Sequence, residues 1–261
     1  MNNKKVRPLA LAAIASAVAL ASQGAIAHTR LQTPTVASGA NVYNATATTH
    51  GCHNAVTNSN STPVIATSVV FPDESATVQI RDAVPAGQTA NDYVAYEGSL
   101  EDFVDGGAVF HPDKVKSRDV FNSEDIKRDP TTSNSVGFYA KDGSLPGLDY
   151  ISLLPFRPGA VFVNEGSCAK SVQYVLAIAD ICKVTSKTKF SDEVVNLWTP
   201  AVGSDFDGPG LHGFNSPATL TVTRSTPLDA SCGLGQEVRV VPTAAQINRD
   251  LPIPRYWPSA R

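Results

Sequence analysis

The chain has little charge, few aromatic residues and no long apolar run beyond its first residues. Charged residues occupy 17% of its 261 positions and aromatic residues 7%, a balance that argues against a coiled coil, an acidic tail or a disordered chain. The 21 lysines and arginines do not exceed the 24 aspartates and glutamates, and the formal charge of −3 provides neither a nucleic-acid footprint nor attraction to an anionic membrane surface. There is no C-x-x-C pair, no G-x-S-x-G elbow, no H-E-x-x-H, no phosphate loop and no G-x-G-x-x-G directly after a strand. The usual signatures of dithiol redox enzymes, serine hydrolases, zinc peptidases and nucleotide binders are therefore missing. Histidine is scarce as well, with five in the whole chain, so where each one falls carries weight.

The opening residues supply the first positive signal. Lys4, Lys5 and Arg7 form a basic start, Leu9 to Ala21 an apolar core, and Ala25-Ile26-Ala27 an A-x-A cleavage site, which together read as a secretory signal over residues 1–27. The apolar run is short for the roughly 20 residues that a spanning helix needs, and nothing later approaches that length, so the mature chain is expected to carry no transmembrane segment. Cleavage removes three cations and no anions, leaving a mildly acidic periplasmic or secreted protein. All four cysteines, Cys52, Cys168, Cys182 and Cys232, follow the cleavage site, and an even count in an oxidising compartment favours two disulfides. Three pairings remain open at this level.

Short β-branched or alternating segments recur between turn signals: 42–48, 68–80, 161–164, 171–179, 218–223 and 237–241. In the segment 218–223, Ala218, Leu220 and Val222 alternate with three threonines, the pattern of a sheet with one buried side. Eighteen glycines and eighteen prolines interrupt the chain too often for long helices. The expected class is all-β: residues 28–261 as one elaborated β-sandwich of immunoglobulin or cupredoxin type with little helix. The polar stretch 82–149 is expected to be a loop-rich insertion, and the Pro-rich tail 252–258 to lie extended on the surface. Residues 180–183, after the strand ending at Ala179, are expected to form a strand-end turn that anchors a disulfide.

Cleavage after Ala27 makes His28 the first residue, and its α-amine and imidazole Nδ1 can then chelate one ion in a single ring. An α-amine of pKa about 7.7–8.0 yields its proton to a metal at modest cost near neutral pH. Nitrogen donors in tetragonal geometry favour Cu²⁺, which also heads the first-row affinity order. His50 and His53 flank Cys52, and a disulfide at Cys52 would hold them on rigid backbone, as metal ligands require.

The opening His28-Thr-Arg-Leu-Gln-Thr-Pro34, then Ala37-Ser-Gly39, a strand, and His50-Gly-Cys52 resembles the secreted YcnI-like copper-binding domains over about the first quarter of the mature chain. That resemblance implies a β-sandwich and copper held by the amine and imidazole of the N-terminal histidine, completed by a carboxylate with a tryptophan nearby. His28 is the residue it carries over. No Asp or Glu lies between His28 and Asp73, so His50 and His53 stand where the family's acidic ligand would be sought.

A second cluster joins Trp198 to Asp205, Asp207 and His212 in a Gly-rich loop. Asp205 and Asp207 offer hard oxygen ligands for Ca²⁺, or Asp207 and His212 complete a copper site that the fold brings to His28; the plainer alternative is a turn in which Asp caps backbone amides. His111 has no partner at ligand spacing. The expected metal set is thus His28, His50, His53, His212 and Asp207, with copper as the bound ion and a copper-receiving or membrane copper protein as partner. The expected role is copper storage, delivery or buffering without catalysis. The competing readings are a copper monooxygenase of the lytic polysaccharide type and a metal-free structural sandwich.

Overall fold

The alternation at 218–223 becomes strand β16 (Thr219–Thr223), with Leu220 and Val222 buried and the three threonines half-buried. The computed structural model describes residues 28–105, 112–116 and 119–259; the signal assigned to residues 1–27 and His111 lie outside them. With strands numbered in chain order, β16 belongs to a six-stranded sheet ordered β2 (Thr35–Ala37), β16, β13 (Ala169–Val175), β17 (Gln236–Val241), β7 (Thr77–Asp82) and β8 (Val94–Ala95). A five-stranded sheet runs β10 (Phe121–Arg128), β11 (Ser135–Gly143), β6 (Ala66–Val70), β14 (Ala177–Ile181) and β15 (Val195–Trp198). A four-stranded sheet runs β1 (Arg30–Leu31), β3 (Asn44–Thr48), β12 (Ser152–Arg157) and β9 (Asp113–Lys114), and β4 (Cys52–Asn54) pairs with β5 (Ser59–Thr62). The class is all-β, as the turn-rich composition implies.

The main core gathers apolar side chains from all three larger sheets: Leu154 and Phe156 of β12, Phe138 of β11, Ile178 and Trp198 of the five-stranded sheet, and Val172, Tyr174, Leu220 and Val238 of the six-stranded one. Strands β6, β14 and β15 of the five-stranded sheet are buried on both faces. Ala66, Val70, Ala179, Ile181, Val195 and Leu197 fill a second cluster beneath helix α1 (Ala244–Asp250) and the tail that follows it. This double burial explains why β6 and β14 read as continuous small-apolar runs with little alternation. It also means that a polar residue on either face of β14 is cut off from water.

Several boundaries differ from the expectation. The segment 68–80 is two strands in different sheets, because Pro72 has no N–H to donate and Asp73 turns the chain by accepting the Ser75 amide at 2.8 Å. The segment 171–179 is likewise β13 and β14, which change sheets at the fully buried Leu176. Residues 161–164 contribute only an isolated bridge, Val104 with Val163. The stretch 82–149 is not simply a loop-rich insertion: it contains β10 and β11, of eight and nine residues, paired along their length. As the edge strand, β10 exposes much of its Asn-Ser-Glu-Asp run, and that polarity conceals it in the sequence. Nor is the tail extended on the surface. Leu251, Ile253 and Trp257 are at most 1% exposed, and residues 253–257 close into a turn against the five-stranded sheet.

Two disulfides resolve the cysteine pairing: Cys52 with Cys182 and Cys168 with Cys232. The first bridges a sequence separation of 130 residues and locks the segment after β3 to the end of β14. Among the described residues, no helix is long and apolar enough to cross a membrane.

Candidate functional site

Strand β1 pairs antiparallel with β3, Arg30 opposite Ala47 and Leu31 opposite Thr46. That register carries the backbone preceding β1 toward residues 48–50, so His28 arrives where His50 leaves β3. A third histidine comes from the opposite side. The loop after β15 folds back until the His212 carbonyl accepts the Leu197 amide at 2.9 Å and the His212 amide donates to Asp192 Oδ1 at 2.6 Å.

The three imidazoles meet around one indole. The ring centroid of Trp198 lies 5.0 Å from that of His28, 5.0 Å from His212 and 6.0 Å from His50. His50 and His212 are 5.1 Å apart and His28 and His212 6.3 Å, again between centroids. An ion about 2.0–2.1 Å from a nitrogen of each ring places two ring centroids roughly 4.5 Å apart for ligands at right angles and about 6.4 Å apart for ligands on opposite sides. The His50–His212 and His28–His212 spacings fall in that window. As the side chains stand, no group of three or more His, Cys, Asp or Glu among the described residues is drawn together into a ready metal cage. An N-terminal amine would be a donor outside any such group.

Local chemistry explains the His-Gly-Cys spacing. His50 is 8% exposed, and its Nδ1 lies 2.6 Å from the Gly51 carbonyl. A carbonyl only accepts, so Nδ1 carries the proton and the lone pair of the neutral ring sits on Nε2. A Cβ on Gly51 would lie 1.9 Å from the Thr62 carbonyl oxygen, so only glycine lets β5 approach. Cys52 then enters the disulfide, and its amide points to Cys182 Sγ at 3.1 Å.

Beneath the cluster lies Asp180, a residue that the sequence marks only as part of a strand-end turn. It is instead within β14, fully buried, opposite Thr67 and Asn196 in the register. Its Oδ2 accepts from Trp198 Nε1 at 2.8 Å and from the Thr29 hydroxyl at 2.5 Å, and its Oδ1 accepts from Thr67 at 2.9 Å and Thr48 at 3.3 Å. Burial pushes this carboxyl above its ordinary value, while the Thr29, Trp198 and Thr67 hydrogen bonds and the nearby His50 pull the other way. The sequence signal that could have found Asp180 is its place in a small-apolar run, where a charged residue is out of keeping.

The remaining expected ligands lie elsewhere. His53 has its amide on the Asp192 carbonyl at 2.9 Å, and its carbonyl accepts from the Thr62 hydroxyl at 3.1 Å within the β4–β5 pair. Asp207 accepts from the Gly203 amide at 2.6 Å and the Ser204 hydroxyl at 2.7 Å, the turn-capping alternative. Asp205 pairs with Lys187 at 2.7 Å on the surface. Neither aspartate reaches the cluster. Trp198 belongs to the core and is also the floor of the site. Searches against models of protein families and against curated proteins find no match to this chain.

Proposed function

We propose that the mature protein is an exported copper-binding protein that holds Cu²⁺ through the amine and imidazole of His28, with His212 and His50 as further nitrogen donors. The observation that carries this reading is the meeting of His28, His50 and His212, from three separate segments, around one buried tryptophan. Three of the five histidines in the chain share one spot, and nothing in the packing of a β-sandwich requires that. The resemblance of residues 28–52 to YcnI-like domains supports the same reading, including its tryptophan neighbour.

Each residue has a part. The backbone of His28 supplies the amine once residues 1–27 are removed, and its ring closes the chelate. His50 presents Nε2 because Gly51 holds the proton on Nδ1, and the His212 backbone is fixed at both its amide and its carbonyl. All donors are neutral nitrogens of borderline softness, which suits copper better than Ca²⁺ or Mg²⁺. Copper is cargo here, stored, buffered or handed to a copper-receiving or membrane copper protein in the periplasm or outside the cell.

The test is a Cu²⁺ titration of protein whose N-terminus has been verified as His28 by mass spectrometry. One equivalent should bind and quench indole fluorescence, and His28→Ala and His212→Ala should each weaken binding by at least about tenfold, equivalent to about 1.4 kcal/mol. Binding that survives both substitutions rules the site out.

A further inference from the structure

Asp180 is a fully buried carboxylate with no lysine or arginine beside it among the described residues. Buried charges are ordinarily paired or serve a metal, and the four donors around this one are an indole and three hydroxyls, all uncharged. An indole N–H only donates, so Oδ2 has to accept from Trp198; burial works against the charge, and the hydrogen bonds from Thr29, Trp198 and Thr67 together with the nearby His50 favour it. Above it stand the three imidazoles, and Asp192 lies at the edge of the site, its Oδ1 accepting the His212 amide at 2.6 Å.

The same four hydrogen bonds reach the elements that build the site. Thr29 follows His28 directly, Thr48 ends the strand that leads to His50, and Trp198 is the ring on which His28 and His212 rest. Thr67 ties the carboxylate to the sheet behind it. Moving or neutralising Asp180 therefore acts on all three donor segments at once.

We propose that Asp180 is the counter-charge of the cation held by His28, His50 and His212, and the positioning residue that sets where those donors stand. This inference rests on the copper reading above and adds to it the source of the site's charge preference. Three neutral imidazoles and an amine carry no net charge, so a preference for a divalent over a monovalent ion comes from ligand geometry and from the nearby carboxylates, of which Asp180 is the fully buried one and Asp192 the partly exposed one. With a buried anion below, the divalent ion gains more than the monovalent one.

The experiment compares Cu²⁺ and Ag⁺ binding by wild-type protein and Asp180→Asn, with chelator competition and indole fluorescence as readouts. Partners behind metal ligands typically contribute about 10- to 100-fold to affinity, so Asp180→Asn should lose that much for Cu²⁺ and a clearly smaller factor for Ag⁺. A loss of under twofold for Cu²⁺, or an equal loss for both ions, overturns the proposal; a purely structural role predicts the equal loss. Should Asp180→Asn fail to fold, Trp198→Phe and Thr29→Val each cut one link to the carboxylate, and unchanged Cu²⁺ affinity in both overturns it as well. Wild-type protein that binds neither ion removes the copper reading and this inference together. Wild-type protein that binds, paired with an unaffected Asp180→Asn, removes the inference alone.

Discussion

Alanine in place of Gly213 presses directly on the floor of the site. Gly213 has a φ of +92°, and a Cβ built there falls 2.6 Å from Trp198 Cε3 and 2.8 Å from the Leu197 carbonyl oxygen. Adopting that backbone region costs a non-glycine residue about 1–3 kcal/mol. The contact with Cε3 is roughly 1 Å shorter than a normal carbon–carbon separation of about 3.5–4.0 Å, which adds about 1–3 kcal/mol of overpacking. Trp198 cannot retreat, since it is fully buried and its Nε1 is held by Asp180, so the loop carrying His212 has to move. Gly210 supplies the control: its φ is +91° in the same loop, yet nothing lies within 4 Å of its Cβ position. Gly210→Ala should lose only the backbone part, whereas Gly213→Ala should lose about 2–6 kcal/mol in urea unfolding and should also weaken Cu²⁺ binding. Equal stability loss in the two variants would refute the packing of this loop on Trp198.

Lys127 gives a pH test of the fold. It is 7% exposed, its Nζ donates to the Pro252 carbonyl at 2.7 Å, and burial lowers its pKa from 10.5 to about 7 against the pull of Asp250. Above pH 7 the unfolded chain holds a proton there that the folded chain has released, so stability should rise with pH, by about 3 kcal/mol between pH 7 and 9.5 at 1.36 kcal/mol per unit; the rise should be missing in Lys127→Met, and matching pH curves for the two proteins would contradict it. The disulfides should separate in their effects. Opening the Cys52–Cys182 bridge with paired alanines frees a loop of 130 residues, worth about 5 kcal/mol by chain entropy, and should also weaken copper binding because His50 and Asp180 each lie two residues from a bridging cysteine. Removing Cys168–Cys232, a separation of 64 residues, should cost about 4 kcal/mol and leave copper affinity unchanged.

The parts of the fold legible in the sequence are those where burial is one-sided. The Thr alternation of β16 is read directly because one face is core and the other half-exposed. Strand β14 merges with β13 in the sequence because both of its faces are covered, and β10 vanishes into polarity because it lies at an edge. The site divides in the same way. His28, His50 and His212 stand out as rare residues at marked positions, next to an expected cleavage site, a cysteine and glycines. His53 sits beside the same cysteine, but alternation along β4 puts it on the face opposite the buried Cys52, a distinction that sequence proximity does not show. Asp207 looks like a ligand by type, yet its oxygens are committed to Gly203 and Ser204. Asp180 is hidden for the opposite reason: its role depends on hydroxyls from residues 29, 48 and 67, which no local pattern brings together.

The central claim is that His28 binds copper as a terminus and not merely as a side chain. Adding one alanine before His28 leaves every ring of the cluster in the chain and converts the α-amine into an amide. Titrating Cu²⁺ into protein that begins at His28 and into the Ala-extended form, under the same chelator competition, isolates that one nitrogen. The account predicts a loss of at least about tenfold and a changed visible spectrum in the extended form. Identical affinity and spectrum in the two proteins would contradict it.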